Sequence, residues 1–160
     1  MALIYINSIM PVYIKNKRAY RNYEILDKTE AGIKLMGSEV KSIKEGKGTL
    51  TGAYVKPSGN SLWLIGLHVP RYSKSGRTDD YDPTRTRQLL LKKREVEFLR
   101  SKTEQKGLTL IPLKIYTKGD LLKVSVGVGR GLKKANKKQQ IISKQETMDA
   151  KREIKDSARR

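Results

Sequence analysis

The chain has 160 residues, with 35 Lys and Arg against 16 Asp and Glu, a formal net charge of +19 and no cysteine. The length fits one domain with extensions, and the missing cysteines exclude a disulfide framework, a thiol nucleophile and a thiolate metal site. No stretch is long enough to span a bilayer. So large an excess of one sign calls for a polyanion, nucleic acid foremost, because neutralising phosphates releases condensed counterions.

The opening MALIYINSIMPVYIKNKR is uncharged as far as Ile14 and then turns basic. A signal peptide carries its charge before the apolar run, not after it. Residues 1–15 therefore read as an N-terminal extension, with Met10 as an alternative initiator. YEIL and GIKLM read as two short strands with DKTEA as the turn between them. SEVKSIKEG reads as a helix capped by Ser38, with Val40 and Ile43 facing inward and Gly46 ending it. TLTGAYVK and SLWLIGLHV flank PSGN, which predicts a hairpin with Pro57 and Gly59 at its tip.

A polar loop, PRYSKSGRTDDYDPTRTRQ, follows. LLLKKREVEFLRSKTEQKG then reads as a helix, with Val96, Leu99 and Thr103 at helical spacing and Gly107 as its stop. LTLIPLKIYT, the turn KGD and LLKVSVGVG make a second hairpin. The sum is a mainly β protein of about six short strands and two helices. Sequential hairpins imply antiparallel pairing, and so many short strands manage their edges best by closing. The expected fold is a closed six-stranded antiparallel barrel of the oligonucleotide-binding (OB) type with small flanking helices, over residues 16–130. A basic tail occupies residues 131–160.

Little in the chain points to catalysis. GVGRG lacks the Gly-Lys-Ser/Thr of a phosphate loop and reads as a strand ending in flexible glycines. Asp79, Asp80 and Asp82 could hold a hard cation, but Arg77, Arg85 and Arg87 share their loop, and internal charge balance is the simpler reading. His68, the single histidine, sits in an apolar strand and reads as structural. Without a nucleophile motif, the chain reads as no enzyme, with no metal and no cofactor.

Two stretches combine the residue types that meet RNA, and the tail adds a third. KNKRAYRNYE offers Lys17 and Arg18 to phosphates and Tyr20 and Tyr23 to unstacked bases. DPTRTRQLLLKKRE places Arg85 and Arg87 on one side of an extended segment, where guanidinium forks suit a phosphate ridge. Lys92, Lys93 and Arg94 follow at a helix start, against the helix dipole.

NKRAYRNYEI, EAGIKLMGSEVKSIKEGK, DPTRTRQLLLKKRE, KGLTLIPLKIY and DAKREI occur in this order and spacing, and the chain resembles the SmpB family, the SsrA-binding proteins of trans-translation, from about Asn16 to Arg160. The resemblance implies a barrel related to the oligonucleotide-binding fold, a bacterial cytoplasmic setting, and tmRNA as partner, bound at its tRNA-like domain and carried to stalled ribosomes. The elongation factor that delivers charged tRNA is an indirect partner. The family's RNA-binding positions fall on Asn16, Glu30 and Leu90, with Lys17, Arg18, Gly32 and Lys92 beside them. An acid such as Glu30 would accept hydrogen bonds from base amino groups or a ribose hydroxyl, or hold a basic neighbour in place. Leu90 would give apolar contact to an unstacked base.

The tail's main apolar residues, Ile141, Ile142, Met148 and Ile154, make a narrow helical stripe. That is too little burial to offset the entropy of ordering the segment, so the tail is expected to be disordered when free, with a latent helical bias in TMDAKREIKDSARR. The resemblance implies that it becomes helical in the empty mRNA channel and senses that vacancy. Lys133, Lys134, Asn136, Lys137 and Lys138 would lie near the decoding centre, and Lys151, Arg152, Ile154 and Lys155 further along. Asn136 and Leu132 depart from the family's usual Asp and Lys. Rival readings are a structural ribosomal protein, a general single-strand binder and a metal-dependent nuclease.

Overall fold

The structure, a computed structural model, describes residues 10–76, 80–132 and 134–158, and of 134–141 the backbone alone. The expectations for residues 1–9, for Arg77 and Asp79, for Lys133 and for the side chains of Lys134, Asn136, Lys137, Lys138 and Ile141 lie outside the described residues.

The elements in chain order are β1 (Val12–Lys15), α1 (Lys17–Asn22), β2 (Tyr23–Ile33), α2 (Gly37–Lys44), β3 (Tyr54–Ser58), β4 (Ser61–Ile65), β5 (Arg87–Leu90), α3 (Lys93–Thr103), β6 (Leu108–Lys118), β7 (Leu121–Gly131) and α4 (Lys134–Ala158). The strands form one antiparallel sheet in the order β1-β6-β3-β4-β5-β2-β7, and β6 also pairs with β7. The run of pairings from β6 to β7 thus returns to its start, with β1 added outside on β6. Ala31, Val55, Leu62, Leu64, Leu89, Leu110, Ile115, Val124, Val126 and Val128 line the inner face, and Ile43 and Leu99 bring α2 and α3 into the same core. Side chains alternate between the faces of a strand, so in regularly paired stretches the neighbours of these residues point outward; on β6 the register shifts between Pro112 and Lys114.

Several local expectations are corrected. DKTEA is not a turn: β2 is one strand of 11 residues, paired with β7 along nearly its whole length. A bulge between Ile25 and Asp27 absorbs the local irregularity, and Asp27 turns its carboxylate back onto the Lys28 N–H at 2.8 Å. Cross-strand pairing here overrides local turn chemistry. LLL is not part of the helix. Arg87–Leu90 is β5, held between β4 and β2, and α3 begins at Lys93. An apolar run of this length does not distinguish buried strand from helix by periodicity.

Ser38 is not a cap. α2 starts after Met36, and Glu39 reaches back to accept from the Met36 N–H at 2.9 Å. Pro57 lies within β3 opposite Leu62, so the hairpin tip is Gly59 and Asn60, with Gly59 at φ +60° as a tight turn needs. Residues 12–15 of the expected N-terminal extension are β1, and residues 17–22, within KNKRAYRNYE, are α1. His68 is exposed, and its backbone bridges Thr49.

The β6–β7 hairpin falls where the sequence places it, with Gly119 at φ +62° in its turn. Val96 and Leu99 are the buried residues of α3. GVGRG belongs to β7. A Cβ at Gly127 would come within 2.9 Å of Leu113 Cδ1, and one at Gly129 within 2.6 Å of Ile111 Cδ1. These glycines admit the side chains of β6 across the sheet and are neither flexible nor a phosphate cradle.

Candidate nucleic-acid interface

The register of β5, β2, β7, β6 and β1 sets one outward-facing row across five strands. Gly32 pairs with Leu90 on one side and Lys123 on the other. Lys123 in turn pairs with Tyr116 and Tyr116 with Val12. At its end Leu90 is 52% exposed. Gly32 has no side chain to screen it; a Cβ there would meet Leu90 Cβ at 3.2 Å. Lys92, exposed, follows Leu90 as the N-cap of α3, where its N–H donates to Glu95 Oε1 at 3.1 Å. The row therefore carries Gly32 and Leu90, with Lys92 just past the end of β5, three positions singled out from the sequence.

Glu30 stands two residues before Gly32 on the same face and pairs with Ser125, which pairs with Lys114. Tyr116, 5% exposed, donates its hydroxyl to Glu30 Oε2, and Lys118 Nζ lies 3.5 Å from Oε1. Lys114 Nζ sits 5.1 Å from the Tyr116 ring centroid, within cation–π range. The Tyr116 hydrogen bond holds the Glu30 carboxyl below its ordinary value. Burial opposes this, and the charge and hydrogen bond of Lys118 and the charge of Lys123 add to the lowering. Burial first, then the bond and charge of Glu30, push the Tyr116 phenol well up. Glu30 is thus a fixed, ionised acceptor set among Lys114, Lys118 and Lys123. Sequence reasoning missed Lys114, Tyr116, Lys118 and Lys123; the every-second-residue pattern Lys114, Tyr116, Lys118 within a strand was the available signal.

The other predicted positions are placed differently. Asn16 is 4% exposed. Its Nδ2 donates to Pro112 O at 2.9 Å and Leu50 O at 3.3 Å, and its Oδ1 accepts from the Ala19 N–H at 3.2 Å. It caps α1 and ties it to β6, so its amide already has partners within the protein. What Asn16 positions is α1, whose Lys17 and Arg18 are exposed. Tyr23 is partly buried, packed with Tyr20 and Ile25 on Ala19, Ile111 and Leu113, and Lys28 Nζ lies 5.7 Å from the Tyr20 ring centroid. A cleft of ≈ 350 Å³ opens between α1 and β3, lined by Asn16, Arg18, Tyr23, Gly52 and Tyr54 among others.

Arg85 and Arg87 do not stand together on a phosphate ridge. Arg87 is fully buried. Its Nε donates to Glu39 Oε2 at 2.6 Å, its Nη1 to Leu67 O and Arg85 O, and its Nη2 to Pro83 O. Arg85 forks onto Glu39 Oε1 from the rim. Desolvation of Glu39 raises its carboxyl, but the bonds from Arg85, the Met36 N–H and Arg87 outweigh it, and the group lies below its ordinary value. The pair that looked like phosphate ligands holds the loop before β5 against α2, with Tyr81 adding a bond to Val69 O at 2.6 Å. Glu39 was missed because a charged residue in a helix reads as solvated. Asp82 accepts from the Thr84 N–H and hydroxyl at 2.9 and 3.0 Å, and among the described residues no cluster of His, Asp and Glu could hold a metal ion.

The segment of α4 whose side chains are described is exposed along its length, with Ile142, Met148 and Ile154 at 47%, 53% and 70%. The Leu132 N–H bonds Asn22 O at 2.9 Å just before α4 begins. Among the described residues no helix is long and apolar enough to cross a membrane.

Fold and face define a small antiparallel β protein with a lysine-rich surface built around a buried tyrosine and an ionised glutamate, suited to nucleic acid. The family model described as SmpB protein matches residues 13–156. The SsrA-binding protein of Dehalococcoides mccartyi is 42% identical over 140 residues, 88% of this chain and 81% of its own. That of Nostoc punctiforme is 43% identical over 144 residues, 90% of this chain and 93% of its own. A solved structure described as "tmRNA-SmpB: a journey to the center of the bacterial ribosome" contains a chain 45% identical, with a TM-score of 0.64 over 75% of this chain and 84% of that one. The chain belongs to the SmpB family.

Proposed function

We propose that this protein binds the tRNA-like domain of tmRNA and delivers it to stalled ribosomes for trans-translation, so that incomplete proteins are tagged and the ribosomes rescued. Membership of the SmpB family carries this reading. The face of Glu30, Gly32, Leu90 and Lys92, extended by Lys114, Lys118 and Lys123, is where the RNA docks. Lysines take the phosphates, Glu30 accepts from base or ribose donors, and Leu90 lies against an unstacked base. Lys17 and Arg18 add phosphate contacts at the α1 end. The protein acts by binding, not catalysis, and works in the cytoplasm.

The returning order of strand pairings supports a closed six-stranded barrel of the oligonucleotide-binding type, with β1 as a seventh strand outside it. The tail from residue 131 is a separate working part. It orders as a helix in the empty mRNA channel and is disordered when the protein is free, since the exposed apolar residues of α4 bury too little to hold it. The bases at Lys133, Lys134, Lys137 and Lys138, with Asn136, reach the decoding centre, while Lys151, Arg152, Ile154 and Lys155 line the channel.

The test is a pull-down from cell extract with sequencing of the retained RNA, paired with a tagging assay on stalled ribosomes. tmRNA dominates the retained RNA, and deleting residues 133–160 keeps tmRNA binding while tagging is lost. Retention of RNA without preference, or tagging by the deleted protein, overturns the respective parts.

A further inference from the structure

The chain has a single tryptophan, and it lies away from the face just described. Trp63 is on the outward side of β4, half-buried, opposite Lys56 on β3 and Gln88 on β5. Tyr54 and Ile65 form the neighbouring outward pair, with Tyr54 46% exposed. The indole Nε1 donates to Ser58 O at 3.3 Å, which fixes the ring. A shallow cleft of ≈ 290 Å³ opens beside it, lined by Lys56, Ser58, Ile65 and Thr86. None of the three strands contains an acidic residue. Arg100 closes the hairpin end by donating to Gly59 O, and Glu104 borders the adjoining hollow on the α3 side.

A flat aromatic surface fixed on a sheet, with a cation across from it and no carboxylate on its strands, is how β proteins stack unpaired bases while holding the adjoining phosphate. We propose that the Trp63–Lys56 face is a second RNA contact, taking an unpaired nucleotide with its base on the indole and its phosphate on Lys56. The occupant is single-stranded RNA and not an acidic protein segment, because an aromatic platform with one cation offers stacking first and charge second. The inference goes beyond the tmRNA reading and does not depend on it.

The lone tryptophan is its own reporter. A short oligouridylate titrated into the full-length protein at low salt quenches tryptophan emission saturably, and added salt weakens the binding. Lys56→Glu weakens the quenching titration, and Trp63→Leu lowers the affinity for a labelled oligouridylate, each by about tenfold; Trp63→Phe retains most of it. Far-UV circular dichroism confirms that each variant is folded. Trp63→Leu leaves the affinity for the isolated tRNA-like domain unchanged. Binding of the labelled oligonucleotide without quenching overturns the proposal, as does an unchanged affinity in Trp63→Leu. Parallel loss of oligonucleotide and tRNA-like domain in Trp63→Leu merges this face with the first and also overturns it. Quenching in a protein that ignores the tRNA-like domain leaves the proposal standing and removes the tmRNA reading instead.

Discussion

Arg87 Nε meets Glu39 Oε2 at 2.6 Å in a setting where neither side chain is exposed to solvent. Removing one partner of such a pair leaves an uncompensated buried charge. Glu39→Gln or Arg87→Met is expected to cost about 3–5 kcal/mol, measured by urea unfolding. The double substitution costs less than the sum of the two, because it removes both charges. Arg85→Ala removes a side chain that is itself partly exposed, and costs less than either single change.

The same pair sets an acid limit. The folded-state Glu39 carboxyl lies below its ordinary 4.5. Its contribution to stability is therefore complete above pH 4.5 and is lost as pH falls through the folded value. Glu30 titrates in the same sense. Thermal melts between neutral and acid pH fall steeply below this point in the natural protein and more gently in Glu39→Gln.

Tyr116→Phe removes the hydroxyl that holds Glu30 while keeping the ring under Lys114. The Glu30 carboxyl then titrates closer to 4.5, read by carbon NMR. Affinity for the tRNA-like domain falls several-fold, the order of one lost hydrogen bond. An unmoved Glu30 titration in the variant refutes the assigned bond.

Asn16→Ala leaves the Ala19 N–H without its capping partner and removes two donated bonds. A loss of about 1–3 kcal/mol is expected. The tRNA-like domain binds more weakly with a shallower salt slope, since α1 no longer presents Lys17 and Arg18. A steady salt slope beside weaker binding shows that Asn16 touches the RNA directly.

Deleting residues 143–158 is expected to leave the melting temperature unchanged, because every side chain in that stretch is exposed. A drop of several degrees shows that α4 stabilises the body.

Local patterns carried the parts that are local. The β6–β7 hairpin is announced by alternation around a Lys-Gly-Asp turn, and α3 by Val96 and Leu99 at helical spacing. β5 was hidden because Gln88, Leu89 and Leu90 run into the lysines that open α3, and only pairing with β4 and β2 decides their conformation. Arg85 and Arg87 were read as phosphate ligands because the acid they meet lies 46 and 48 residues earlier. Resemblance located Glu30, Gly32 and Leu90; the Lys114, Tyr116, Lys118 alternation marks one face of a strand, but only register sets Tyr116 and Lys123 beside them.

That register has a further consequence. The row of Val12, Gly32, Leu90, Tyr116 and Lys123 is drawn from five separate strands, the first and last 111 residues apart. No excised hairpin, and no chain cut short before β7, can present it, so a polypeptide still emerging from the ribosome is mute toward its partner until β7 is in place. Recognition by this row therefore waits on the pairing of the last strand.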